Sequence, residues 1–274
     1  MERVKSIGFA DTHCHLNIDV FDQDRNLVVE RARKNGILRI LNPGVDVETS
    51  KSALIIAQHY PEVYAAVGLH PNNGLNWTKN SLSELRTLAG EQKVVAIGEI
   101  GLDFYRNLAP KALQLSIFQE QLELAAELEL PVIIHNREAT GDILNIIKLW
   151  HQQLITSGSK LAPRPGVLHS YSDDVRNANE FVSLNFLIGI TGPVTFKKSL
   201  ALQSVVCVLP TESLLIETDA PYLSPHPFRG KRNEPANVRI VAEKIADLKE
   251  ETLENIGKIT TAGADMLFKW REIH

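Results

Sequence analysis

Eight short apolar runs rich in β-branched residues alternate with longer stretches of helical periodicity, and that rhythm leaves few folds open. The runs lie at Ile7–Thr12, Leu38–Asn42, Tyr64–Leu69, Val94–Glu99, Val132–His135, Gly166–His169, Phe186–Ile190 and Leu214–Thr218. Helix-like segments at Asp22–Lys34, Val47–His59, Ala112–Glu129, Gly141–Leu154, Asp173–Ser183 and Leu200–Val208 separate most of them, and Val238–Ala246 and Thr252–Lys269 follow the last. Within Ala112–Glu129, Leu115, Phe118, Leu122, Ala125 and Leu128 recur at three- and four-residue spacing, one apolar stripe. Asp22, Ser81 and Asp173 stand where N-caps are expected, and Gly36 where a helix would end. Strand–helix–strand units are parallel units, and eight of them close into a (β/α)8 TIM barrel. A doubly wound open sheet is the alternative arrangement of the same units. The 274 residues suit one barrel domain spanning 1–274. The Ser157–Pro165 stretch, rich in Gly, Ser, Pro and Lys, reads as a surface loop inside one unit.

The polar residues at the ends of these runs decide between barrel and open sheet. Asp11-Thr12-His13-Cys14-His15 closes the first run. Alternate residues of a strand share a face, so His13 and His15 point one way and Cys14 the other. Two imidazoles at that spacing can chelate a divalent cation, and Asp11 can orient a ligand from behind. Glu99 ends the fourth run, where a carboxylate gains little from burial unless it is paired or bound to metal. His135 ends the fifth run, with Arg137 two residues on as a phosphate contact; His169 ends the sixth. Asp219 closes the eighth and can bind metal or take a proton from water, with Glu217 deeper in a supporting role. His70, at the end of the third run, is a substrate contact or a brace. Each residue alone admits a structural account. Together His13, His15, Glu99, His135, His169 and Asp219 sit at the ends of five runs, and a barrel brings those ends into one ring. Four imidazoles and two carboxylates suit two divalent ions, Mg, Mn or Zn, sharing a bridge.

Composition bounds the partners. A formal net charge of −4 does not suit a protein that coats duplex nucleic acid, so any such substrate is expected to meet a local site. The loop Pro227-Phe228-Arg229-Gly230-Lys231-Arg232-Asn233 follows the eighth run and supplies the candidate phosphate contacts Arg229, Lys231 and Arg232. Tyr105 or Phe228 is a candidate to stack on a base. No apolar run approaches the ~18 residues of a membrane span, no secretory pattern opens the chain, and two cysteines make no disulfide framework. The expectation is a cytoplasmic protein without a membrane partner. Cys14, turned away from the other groups, does not suit a nucleophile.

Six segments resemble one family in its order along the chain: Asp11 to Leu16, Gly68 to Pro71, Gly98 to Asp103, Pro131 to Arg137, Leu168 to Ser170 and Glu217 to Pro221. The sequence is similar to the TatD-related hydrolases, within the wider amidohydrolase-like barrels. The resemblance implies a TIM-type barrel and a divalent-metal hydrolase, described for the family as a deoxyribonuclease. It implies that His13, His15 and Asp219 hold one ion, His135 and His169 the other, and that Glu99 touches both. Glu99 stands where phosphotriesterase-like relatives carry a modified lysine. The expected reaction is cleavage of phosphodiester bonds in single-stranded or frayed DNA ends by metal-activated water, with Glu99 and Asp219 as the catalytic carboxylates. The alternative is a hydrolase of the same fold acting on an amide, lactone or aminoacyl ester.

Overall fold

In the computed structural model, which describes residues 8–270, the eight expected strands are parallel and pair in chain order. They are β1 (Phe9–Asp11), β2 (Ile37–Pro43), β3 (Val63–Val67), β4 (Val94–Asp103), β5 (Val132–Arg137), β6 (Gly166–Leu168), β7 (Leu187–Ile190) and β8 (Leu214–Ile216). The last meets the first: the Thr12 amide donates to the Ile216 carbonyl at 3.2 Å, and Cys14 bridges to Ala220. The result is a (β/α)8 barrel, not an open sheet. Helices α1 (Arg25–Lys34), α2 (Val47–His59), α3 (Ser81–Ala89), α4 (Lys111–Leu128), α5 (Thr140–Thr156), α6 (Val175–Ser183) and α7 (Leu200–Val208) fill the crossovers, and α8 (Val238–Lys249) and α9 (Leu253–Phe268) follow β8. Among the described residues no helix is long and apolar enough to cross a membrane.

Two apolar layers hold the ring. One lies between strands and helices and includes Phe9, Phe118, Ile134, Phe181 and Ile245. The other joins Leu41, Tyr64, Val95, Ile133, Leu187 and Leu215 to Ala264, Leu267 and Phe268 of α9. Tyr64, Val95, Leu187 and Leu215 lie at the beginnings of their strands, so α9 packs against that end of the barrel. The opposite end stays free for the polar strand ends, the usual division of labour in this fold.

Several boundaries differ from the sequence expectation. Strand β1 stops at Asp11, which puts His13 and His15 on the segment just beyond it; the proposed start at Ile7 lies outside the described residues. Strand β4 runs on past Glu99 to Asp103, with a register shift against β5 between Ile97 and Ile100. Asp24 rather than Asp22 precedes α1, and Asp174 rather than Asp173 caps α6, accepting from the Asn177 amide at 2.9 Å. Asp173 instead accepts from the Thr140 hydroxyl at 2.6 Å, tying α5 to the loop before α6. Helix α3 is absent from the segments inferred above. Ser81 is its first residue, and its hydroxyl accepts from the Thr78 amide at 2.9 Å. Gly36 does end α1, with a φ of 80°.

Candidate metal centre

The groups expected to converge do so, around the Glu99 carboxylate. His13 Nε2 lies 3.2 Å from His15 Nε2 and 3.4 Å from Glu99 Oε2. Asp219 Oδ1 is 3.4 Å from His15 Nε2, 3.8 Å from His169 Nε2 and 3.9 Å from His13 Nε2. The second Glu99 oxygen faces the other way: Oε1 is 3.0 Å from His135 Nδ1 and 3.5 Å from His70 Nε2. One buried carboxylate therefore stands between two sets of imidazoles, one on each oxygen.

These spacings test whether the residues fit metal. Four ligands at 2.0–2.2 Å from a tetrahedral ion are separated from each other by about 3.4 Å. The distances among His13, His15, Asp219 and Glu99 Oε2 cluster about that value. The donor chemistry agrees, since imidazole nitrogens beside carboxylate oxygens are a donor set for divalent metal ions. The groups whose donor atoms all lie within 4.8 Å of one another are His13, His15 and Asp219; His13, Glu99 and His169; and His70, Glu99 and His135. The grouping departs from the expected division in one respect. His169 stacks on His13 with ring centroids 3.4 Å apart, and His70, expected only as a substrate contact or brace, stands beside His135 instead.

The electrostatics follow from burial and from these neighbours. Burial opposes the Glu99 charge, but His70, His13 and His135 outweigh it and hold the carboxyl well below its usual range. Desolvation pushes the pKa of His70 down to about 3. For His169, burial lowers the pKa, but Glu217, whose Oε1 lies 3.0 Å from its Nδ1, raises it more strongly, to about 10. Glu217 also accepts from the Ser170 amide and, at 3.4 Å, from the Thr12 hydroxyl. It thus stands behind His169, on the side away from Glu99 and Asp219. Asp11 turns away from the imidazoles. It accepts from the Thr218 amide at 2.8 Å and the Thr218 hydroxyl at 2.6 Å, so it anchors the segment that carries Asp219; burial lifts its pKa to about 8. Cys14 is fully buried and its thiol pKa is well above the ordinary value, so it is no nucleophile.

Asp103 was not among the candidates. It follows Gly101 and Leu102 as the last residue of β4 and is buried. Its Oδ2 lies 3.3 Å from His135 Nε2 and accepts from Asn72 Nδ2 at 3.0 Å, while Oδ1 accepts from the Arg106 amide at 2.8 Å. His135 therefore has one ring nitrogen toward Glu99 and the other toward a carboxylate. That arrangement fixes the orientation of a metal-binding imidazole. Asp103→Asn is expected to weaken divalent-ion binding by roughly 10–100-fold, read by isothermal titration, with the fold unchanged by circular dichroism. Unchanged affinity would remove Asp103 from this role.

A cavity of about 790 Å³ opens above the cluster, lined by His15, His70, Glu99, Asp103, His135, His169 and Asp219 within, and by Tyr105, Arg106, Arg137 and Tyr222 toward the rim. Arg137 thus lies where a phosphate contact was expected. Arg229, Lys231, Arg232 and Phe228, read in the sequence as phosphate or base contacts, are not among the residues that line this cavity. Arg232 donates two hydrogen bonds, at 2.6 and 2.8 Å, to the Asp24 carboxylate and a third to the Val20 carbonyl. Its guanidinium lies over Phe21, and that of Arg229 over Phe196. Arg232→Ala is expected to cost about 1 kcal/mol, lowering Tm by roughly 2–4 °C, and to leave KM unchanged. A rise in KM with intact Tm would restore the phosphate role.

A family model described as TatD related DNase matches residues 10–269. Among similar proteins, the uncharacterized metal-dependent hydrolase YabD of Bacillus subtilis is 43% identical over 259 residues, 94% of this chain and 98% of the relative. The 3'-5' ssDNA/RNA exonuclease TatD of Cronobacter sakazakii is 36% identical over 264 residues, 94% of this chain and 97% of the relative. The crystal structure of YjjV, a TatD homolog from Escherichia coli K12, superposes with a TM-score of 0.88 at 32% identity, covering 95% of this chain and 98% of that one.

Proposed function

Since the chain belongs to the family of TatD related DNases, we propose that this metal-dependent hydrolase is a two-metal phosphodiesterase acting on single-stranded DNA ends. The observation that carries the proposal is the Glu99 carboxylate, with one oxygen facing His13 and His15 and the other facing His135 and His70. In this reading Glu99 would help to hold divalent ions on both of its oxygens. His13, His15 and Asp219 would hold metal on one side and His135 on the other, with His169 and His70 as the neighbouring donors. When bound, such ions supply Lewis acidity to a phosphoryl oxygen and acidify a water.

The chain's own residues do the rest. Asp219, only partly exposed, accepts the proton of the attacking water, and the imidazoles beside it keep it ionised for that task. Glu217 and Asp103 hold His169 and His135 in place, so the donors need no rearrangement when substrate arrives. Arg137, exposed at the rim, offsets the charge on the phosphate. The named activity of the Cronobacter relative, on single-stranded DNA and RNA, supports the choice of substrate.

The test is turnover of end-labelled and circular single-stranded DNA, and of an end-labelled RNA, by protein stripped with chelator and then reloaded with Mg, Mn or Zn. The proposal expects cleavage of the labelled linear DNA only after reloading. Equal turnover in chelator, or cleavage of neither nucleic acid under any loading, contradicts it.

A further inference from the structure

We infer that Tyr105 and Tyr222 are paired base-stacking platforms that seat a single strand across the barrel mouth, one nucleoside on each side of the phosphate. The inference rests on the reading of the cluster as a phosphodiester site and adds how the strand is recognised. Tyr105 follows β4 and Tyr222 follows β8, and in a ring of eight strands paired in chain order those two positions are diametrically opposed. Both side chains line the cavity, and both are largely exposed, at 61% and 54%. Large aromatic rings gain from burial, and two left in water on facing walls of one polar cavity await a flat apolar surface.

Each ring is tied to a different part of the cluster. The Tyr222 ring lies 6.3 Å from that of His15, while Tyr105 stands two residues along the chain from Asp103, the partner of His135. The Arg137 guanidinium sits 4.8 Å from the Tyr105 centroid, and at 61% exposure the ring still offers a free surface. This stacked pair presents an aromatic plane to a base and a cation to the adjoining phosphate. Arg106 adds a second cation on the same wall, and neither guanidinium pairs with a carboxylate among the described residues. Glu99 lines the same cavity as the two rings. A stacking platform accepts any base because every base has a π-face, so the device selects unpaired bases rather than a sequence. A duplex, with its bases already stacked, offers neither ring a partner.

The experiment compares equilibrium binding of two labelled probes of equal length, an oligothymidylate and its abasic analogue, by fluorescence anisotropy in chelator. The wild type is expected to prefer the oligothymidylate by at least about tenfold, since each stacked base contributes a factor of that order. Tyr105→Ala and Tyr222→Ala should each reduce that preference about fivefold or more, the double variant should abolish it, and Tyr→Phe at either position should preserve it. Equal affinity of the wild type for the two probes, absence of binding included, overturns the inference, as does undiminished preference in the double variant. Hydrolysis is not read here. A protein that prefers bases but never cleaves faults the proposed function, and one that cleaves without preferring them faults this inference.

Discussion

Glu99→Ala is expected to reduce turnover by at least about 10³-fold while leaving the barrel folded, because one side chain supports both halves of the centre. Its two oxygens lie 3.4 Å from His13 Nε2 and 3.0 Å from His135 Nδ1, and among the described residues no other carboxylate reaches both. Without it the two sets of imidazoles lose their common counter-charge, and the ions lose their bridge. Glu99→Gln separates charge from shape. It fills the same space and keeps a hydrogen-bonding oxygen, so it should stay as folded as the wild type and lose nearly as much turnover as the alanine variant. The check is kcat alongside Tm and the content of bound metal. A glutamine variant within tenfold of wild type would mean that Glu99 only braces its neighbours.

The second large effect lies two residues away and acts through the backbone. Gly101 has a φ of +136°, and a Cβ added there would sit 2.1 Å from the His135 carbonyl oxygen. Side chains other than hydrogen are strained in that conformation, and the contact is with backbone, which cannot turn aside. Gly101→Ala must therefore displace β5 or break its pairing with β4 at the residue that carries an imidazole of the centre. The expected cost is about 3 kcal/mol or more, a fall in Tm of roughly 10 °C. Turnover should fall by roughly 10²-fold even in the folded fraction, since an ångström of misplacement is costly at a reacting centre. Thermal denaturation and turnover of folded protein measure the two parts separately. A variant with wild-type Tm would show that the strands absorb the methyl group without strain.

These two positions illustrate what was legible in the sequence. The alternation of strand and helix signals carries the barrel, because the strands are buried over most of their length and the helices on one side, and period and apolarity report burial directly. The convergence on Glu99 was legible for the same reason: polar residues ended apolar runs, and parallel units in sequence order bring such ends together. Local parity was a poorer guide. His13 and His15 share a side, but they lie beyond β1, and Asp11 faces the Thr218 amide rather than an imidazole. Asp103 escaped notice because Gly98 and Gly101 interrupt the apolar pattern, although the strand runs through them.

Pairing across distant segments was the least legible. Nothing near Arg232 in the chain announces that Asp24, in the segment before α1, will take its charge, so three cations in one loop looked like a phosphate surface. The cations that do line the cavity, Arg106 and Arg137, stand singly after β4 and at the end of β5. Tyr222 likewise gave no signal beside Ala220 and Pro221. Its place opposite Tyr105 emerges only when the eight strands close.

The most direct test of the whole account is anomalous diffraction from crystals of the protein soaked in manganese or zinc. Two peaks should appear, one on each side of the Glu99 carboxylate, each within about 2.0–2.2 Å of one of its oxygens. A map with no peak in the cavity, or with a lone peak bound to histidines and out of reach of Glu99, would contradict it.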